Sequence, residues 1–508
     1  MTARRCGAAA VVAAAAVMLC GGAPAAQQTA RPVAAKDTVE CSLQQVATNS
    51  ATRIKQFDQT FVDYIGGGVI VTCPARHYVL TSDSAEEHEA AERWYFFGHV
   101  HYNEPRLDLH SDVLHYFQVG DSIQAIGNVH AVQPTGTSLD GPAVSYYPES
   151  PGRRPKAQVL ATDRPTMRIA QKDSLGRPDS TITVSALTLF MDGDSLLYAS
   201  KQVVINRASV TAHSDSAFLD LNAEVTHLIG RPVINGVQGR KFELKGTLID
   251  AYSPHRKLER ILARGKASAV SLELSLLADT IDIRIHNDSV SRVIARLNAT
   301  ATDKDMQLVA DTIDMRISNN LLGRAIAWNR TKEAQAISPS QTITADSINI
   351  VMPDQKLRSI TAVRHAVATR LPDTAKMRVV EPDEMWGDTV IAYFDSLPSR
   401  DTTKSASVRE IVAIADTRLA TKTDSLRAKA LYHLQGRDTV SRLPVISYIQ
   451  AKHEIAIDFT REQPSVVTVS GGVEGFYTSP LDSTKAKPAD STAKKPPTKK
   501  PPPTPRPL

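Results

Sequence analysis

Aromatic residues are scarce in this chain: Phe, Trp and Tyr make up 5% of its 508 residues, and Trp occurs 3 times. Stacked platforms of the kind that hold sugars are therefore in short supply. Cysteine is scarcer still, with 4 in all and no Cys-x-x-Cys, so neither zinc-ribbon nor thioredoxin chemistry is suggested. Long apolar runs are missing too. The longest uncharged one, from Gly7 to Gly22, is too short and too rich in Ala and Gly for a bilayer span, and no second follows. An integral helical membrane protein is excluded. An excess of one charge is absent from the body of the chain. Of the net +5, Arg4 and Arg5 supply two charges and the stretch from Ser479 to Leu508 a net five, which leaves the remainder near −2. No broad basic field for nucleic acid exists.

Catalytic signatures are also wanting. His88-Glu89-Ala90-Ala91-Glu92 lacks the second histidine of a zincin helix, and Gly136-Thr137-Ser138-Leu139-Asp140 breaks the nucleophile-elbow pattern at its last position. Gly66-Gly67-Gly68 is followed by no Gly-Lys-Ser/Thr. His99, His101, His110, His115 and His130 cluster, with His99 and His101 on one face of a strand. They read as solvent-facing strand positions. No catalytic residue, metal site or cofactor is expected.

What is present begins with a secretory signal over residues 1–25: Arg4 and Arg5, an apolar stretch to Leu19, and Ala23-Pro24-Ala25 as cleavage site. Leu19 before Cys20 argues against lipidation, and ordinary export is expected. Cys41 and Cys73 then remain, in an oxidising compartment where two thiols tend to pair, and a disulfide between them is predicted.

Internal repetition is the most informative property. Ala278-Asp279-Thr280-Ile281-Asp282-Ile283 returns 32 residues on as Ala310-Asp311-Thr312-Ile313-Asp314-Met315, and 35 further on as Ala345-Asp346-Ser347-Ile348-Asn349-Ile350. Between them Arg260-Ile261-Leu262-Ala263-Arg264 matches Arg292-Val293-Ile294-Ala295-Arg296, again at 32. Both half-units alternate apolar and polar residues, the period of a strand with one buried face. Asn287-Asp288-Ser289 and Tyr252-Ser253-Pro254-His255 read as turns, and Ala85–Arg93 is the best short helical candidate. Earlier in the chain Gly68, Gly98 and Gly127 recur at 30 and 29 residues, each before an alternating stretch, which suits a bend or bulge where two sheets meet. Asp279, Asp311 and Asp346 read as turn and edge residues near strand starts.

Alternation places Ile281, Ile283, Ile313, Met315, Ile348 and Ile350 inside, with Asp282, Asp314 and Asn349 outside. Leu114, Leu189, Leu219, Ile455 and Ile457 hold equivalent inward positions, and Ala263, Ala295 and Ala362 lie on companion strands.

The ordered set Phe97-Gly98-His99-Val100, Leu109-His110-Ser111-Asp112-Val113-Leu114, Ile126-Gly127-Asn128-Val129 and Leu139-Asp140-Gly141-Pro142 through Tyr146-Tyr147 resembles the OstA/LptA-type domain of organic-solvent-tolerance and lipopolysaccharide-transport proteins. The match is strong over residues 66–169, and degenerate repeats extend it to about Tyr477. The resemblance implies an all-β, elongated, repeat-built β-jelly-roll (a β-taco) of stacked antiparallel rungs, with no catalytic residues. Its expected boundaries are a lead-in at 26–59, an OstA-like domain at 60–170, continued repeats at 171–375, and C-terminal repeats with insertions at 376–478. A disordered Pro/Lys-rich tail at 479–508 follows. The implied cargo is lipopolysaccharide or a related glycolipid, held in an apolar groove by the inward residues named above. The implied location is periplasmic, beside the outer membrane. The last rung, Ile455 to Phe459 and Val466 to Val469, has no polar cap. Edge-strand pairing is therefore expected, with outer- or inner-membrane transport components or head-to-tail with a second copy. An exported β-solenoid scaffold or carbohydrate binder is the alternative.

Overall fold

The computed structural model describes residues 43–480 except for 75, 151, 171–180, 238–240, 272–273, 354–355, 373, 375–376, 380, 396–406, 417–426, 437–441 and 461–462. The signal segment, Cys41 and nearly all of the Pro/Lys-rich tail lie outside the described residues.

Strand follows strand in antiparallel succession, and all 33 join one sheet. Long strands such as β4 (Arg93–Glu104), β5 (Leu107–Phe117), β6 (Ser122–Val132) and β7 (Ser138–Tyr147) pair with their chain neighbours over nearly their whole length. In the central repeats β18 (Arg260–Ser271), β19 (Ser275–His286), β20 (Ser289–Thr302) and β21 (Gln307–Ser318) do the same. The expected turn at Asn287-Asp288 is a tight hairpin, with φ of 49° and 57° at its two central residues. Pairing runs across both internal boundaries read from the sequence, through Ile169 with Ile182 and through β26 (Ser359–Arg370) with β27 (Asp383–Phe394). Among the described residues helix is limited to isolated 3₁₀ turns. One of these, Glu89–Ala91, is all that forms from the helical candidate at 85–93. No helix is long and apolar enough to cross a membrane.

Each long strand is folded once near its middle. On alternate strands the fold has two consecutive residues at left-handed φ, as with Gly98 and His99 at 73° and 46°, Gly127 and Asn128 at 79° and 45°, and Gly230 and Arg231 at 76° and 49°. Only glycine enters that region without strain, which is why it leads these pairs. The glycine spacing thus marks mid-strand corners, the bends that the sequence suggested. The opposing strand meets each corner with a Ser-Asp pair. Ser111 Oγ donates to the Val113 carbonyl at 3.0 Å, and Asp112 accepts from Asn128 Nδ2 at 2.8 Å. The Ser82-Asp83 and Ser214-Asp215 pairs do the same opposite His99 and Arg231. Asp279 and Asp346 hold corner positions too, facing Asn298 at 3.4 Å and His365 at 3.2 Å. Asp311 accepts from the Arg330 backbone N–H at 3.0 Å. Asp346 is the bend just before the strand Ser347–Val351, as expected, whereas Asp279 and Asp311 lie within their strands and pin the corners.

The folds divide the sheet into two leaves joined along one side, their hairpin turns meeting at the other. Between the leaves lies one hydrophobic core reaching from Ile65 to Ile457. The lead-in segment contributes β1 (Gln44–Lys55), which covers the free edge of β2 (Phe61–Cys73). At the other end, among the described residues, β32 (Gln463–Ser470) pairs only with β31 (Glu454–Thr460), and β33 (Val473–Thr478) only with β30 (Val445–Ala451).

Candidate functional site

The candidate site is the seam between the leaves. On the first leaf directly opposed residues run Ile249, Ala263, Ile281, Ala295, Ile313, Ala327, Ile348, Ala362, so that large and small side chains alternate from strand to strand. All eight are 0% exposed. The second leaf carries a matching row, Leu244, Ala269, Leu276, Ala301, Leu308, Ala336, Ile343, Ala368. Such alternation lets facing layers interdigitate at interior density.

Every predicted groove residue lies in this seam. Leu114, Leu189, Leu219, Ile281, Ile283, Ile313, Met315, Ile348, Ile350, Ile455 and Ile457 are all buried. All eleven belong to the first leaf; the second, with Leu80, Leu109, Leu139, Leu276 and Leu308, was missed although its alternation resumes just beyond each corner.

The expected outward direction holds, but outward is not exposed. Asp282 and Asp314 do point away from the seam, but they are buried, at 0% and 4% exposed, while Asn349 is half-buried. Arginines on neighbouring strands cover them. Asp282 accepts two hydrogen bonds from Arg260, at 2.8 and 2.9 Å, with Arg296 and Arg284 at 3.6 and 3.7 Å. Asp314 accepts two from Arg292, at 2.8 and 2.6 Å. Asn349 repeats the contact with Arg324 Nε at 2.7 Å. Asp250 belongs to the same row, between His227 Nδ1 at 2.7 Å and Arg264.

The mouth, opposite the corners, is closed by side chains. Toward the N-terminal end Tyr78 of the second leaf meets Tyr116 of the first, ring centroids 6.4 Å apart, and stands 5.1 Å from Tyr102. Arg76, in the turn before Tyr78, pairs with Asp121, in the turn after Tyr116, and Tyr116 donates to Asp121 at 3.2 Å. Glu104 accepts from Tyr102 at 2.9 Å and from Tyr146 of the opposite leaf. Burial raises the Glu104 carboxyl above the ordinary range, against the two phenol donors that favour its charged form. Burial pushes the Tyr116 hydroxyl up to about 12, and those of Tyr78, Tyr102 and Tyr146 higher still. Further along, Arg106 reaches Glu149 and Asp194 at 3.3 and 3.5 Å, and Arg207 reaches Ser253. Near the C-terminal end Arg370 lies over the ring of Phe459, 4.9 Å from its centroid. Sequence reading found none of these latches, because each joins turns that are far apart in the chain.

Inside, an apolar crevice of about 20 Å³ opens between Leu109, Leu139, Met167, Val144, Tyr146 and Met191, room for roughly one water. With the leaves closed, the seam is packed. Cys73 is in a disulfide, and every other cysteine lies outside the described residues. Its strand neighbour Thr72 pairs with Gln44, close in the chain to Cys41.

No family model matches the chain, and no curated protein matches it.

Proposed function

We propose that this protein is a periplasmic lipid carrier or bridge of the lipopolysaccharide-transport type, shielding acyl chains between its leaves on the way to the outer membrane. The observation that carries the reading is continuity: a single apolar seam passes through the whole sheet, from Ile65 to Ile457. Each acyl methylene withdrawn from water gains about 0.8 kcal/mol, so an unbroken apolar path is what such cargo needs. Because the closed seam is filled, uptake requires the leaves to part, and side-chain latches rather than backbone hold the mouth. The sides of β32 and β33 that no other described strand pairs with offer a continuation of the seam into a second copy or a membrane-anchored partner with a similar edge. The proposal involves no enzymatic reaction and no nucleic acid.

A second reading, an exported scaffold or carbohydrate binder, is favoured by one outer-face feature. Phe190, Tyr198, Phe218 and His227 stand side by side on successive strands, with centroids 6.0, 4.8 and 5.8 Å apart.

Mass spectrometry of lipid extracted from protein purified without detergent separates the two. Glycolipid that co-purifies, and that crosslinks to a photoreactive side chain at Ile313 but not at outward Ile294, is the expected result. Lipid-free protein that takes up no added glycolipid would overturn the carrier reading in favour of the scaffold.

A further inference from the structure

The β4–β5 hairpin carries a side-chain cluster outside the seam. His101 and His110 are directly opposed across the two strands, and Asn103 is opposed to Asp108. Residues two apart on a strand share a face, so all four project from one small patch. The imidazoles of His101 and His110 stack, centroids 4.1 Å apart and planes 12° from parallel. Nε2 of His101 lies 2.9 Å, and Nε2 of His110 3.3 Å, from the same oxygen, Oδ1 of Asp108. Asn103 Nδ2 donates to the other oxygen, Oδ2, at 3.2 Å, which leaves Oδ1 turned toward the two nitrogens.

We propose that His101, Asp108 and His110 bind a divalent transition-metal ion of the Zn²⁺ or Cu²⁺ type. The three ligand atoms lie within 4.8 Å of one another. Donors about 2.0–2.1 Å from a tetrahedral ion stand about 3.3 Å apart, so the ligand atoms are within reach, and binding requires the two stacked rings to turn until their in-plane lone pairs converge on the ion. Two imidazoles and one carboxylate suit Cu²⁺, Ni²⁺ and Zn²⁺ in preference to Ca²⁺ or Mg²⁺, which take oxygen ligands. Side-chain exposures of 36% for His101, 46% for Asp108 and 55% for His110 leave room for water in the remaining positions. As Nε2–H tautomers both rings can donate to Oδ1, whose two lone pairs accept them; a metal ion would displace those two protons and take the ring lone pairs in their place. Asn103 takes the supporting role of orienting the carboxylate. His130, next in the same row, is held through Nδ1 by Asp140 at 2.6 Å, and Arg168 also pairs with Asp140, so the cationic neighbour lies outside the triad. The hairpin's turn carries Glu104 and Arg106, so a bound ion would staple the strand ends that latch the mouth.

The test is calorimetric titration of the exported chain, without a histidine tag, with Zn²⁺ and separately with Cu²⁺. Wild type is expected to bind one equivalent, more tightly for Cu²⁺, and to release it as acid protonates the imidazoles. Binding should be lost in His101→Ala/His110→Ala and weakened about tenfold or more in Asn103→Ala. Hyperfine structure from two nitrogen ligands in the Cu²⁺ electron-paramagnetic-resonance spectrum of wild type gives a readout independent of any variant's folding. Wild type that binds no ion, or a double variant that binds as tightly as wild type, overturns the site.

Discussion

Arg260 grips Asp282 through two parallel hydrogen bonds, Nε to Oδ1 and Nη2 to Oδ2, and Arg292 grips Asp314 in the same way one repeat later. Each carboxylate is buried while its arginine is partly exposed, at 35% for Arg260 and 44% for Arg292. The arginines therefore act as lids that let a charge sit under the outer face. Their pKa values are raised, chiefly by the hydrogen bonds to these aspartates.

Asp282→Ala should leave Arg260, Arg284 and Arg296 crowded around an empty position. Local destabilisation of about 1–3 kcal/mol is expected, read as faster amide hydrogen exchange in β18 to β20. Glu243→Ala, which breaks the exposed pair with Lys245, should leave exchange in its strand unchanged.

Glu104 makes the mouth pH-sensitive. Its carboxyl is raised above 4.5 in the folded protein, so between that value and the folded one the native state holds a proton that the unfolded chain has released. Stability must then fall as pH rises through this window. Glu104→Gln should remove that slope and slow exchange around Tyr102 and Tyr146 at neutral pH, as hydrogen exchange across a pH series would show.

Gly127 has φ of 79°, and a Cβ there would meet Asp112 Oδ2 at 2.5 Å. Gly127→Val should cost about 1–3 kcal/mol and loosen the β5–β6 pairing. Gly120→Ala, where the nearest atom would be 3.9 Å away, should be silent in the same urea titration.

The C-terminal strands expose Val466, Val473, Phe476 and Tyr477 beside edges that no other described strand pairs with. Phe476→Lys/Tyr477→Lys should abolish concentration-dependent self-association, or crosslinking to a partner from positions 455–478, while circular dichroism stays unchanged. Association that persists in this variant would assign the contact to another surface.

Alternation made the strands and the inward set from Leu114 to Ile457 legible, because one buried face imposes a period of two on any sequence. The corners were legible only where glycine supplies the left-handed pair. At Leu297-Asn298 and Arg364-His365 the same geometry, with φ of 62° and 54° and of 64° and 51°, is taken by residues that carry no such signal. The burial of Asp282 was invisible for another reason: alternation reports which way a side chain points, not what neighbouring strands lay over it. Likewise the meeting of His101 with Asp108 and His110 depends on hairpin register, which the spacing of histidines does not reveal.

The repeated grip has a consequence for length. Arg260-Ile261-Leu262-Ala263-Arg264 and Arg292-Val293-Ile294-Ala295-Arg296 occupy equivalent places in successive hairpins, with the same inward and outward residues. Residues 261–292 form a module whose excision would rejoin Arg260 to Val293 in register, leaving Asp250 facing Arg296 in place of Arg264. The sheet would shorten by two strands, about 9–10 Å, without change of face or partner type. The reach of this molecule is thus a stepwise quantity, set by how many hairpins are stacked, so the protein is built like a ruler whose divisions can be added or removed one at a time.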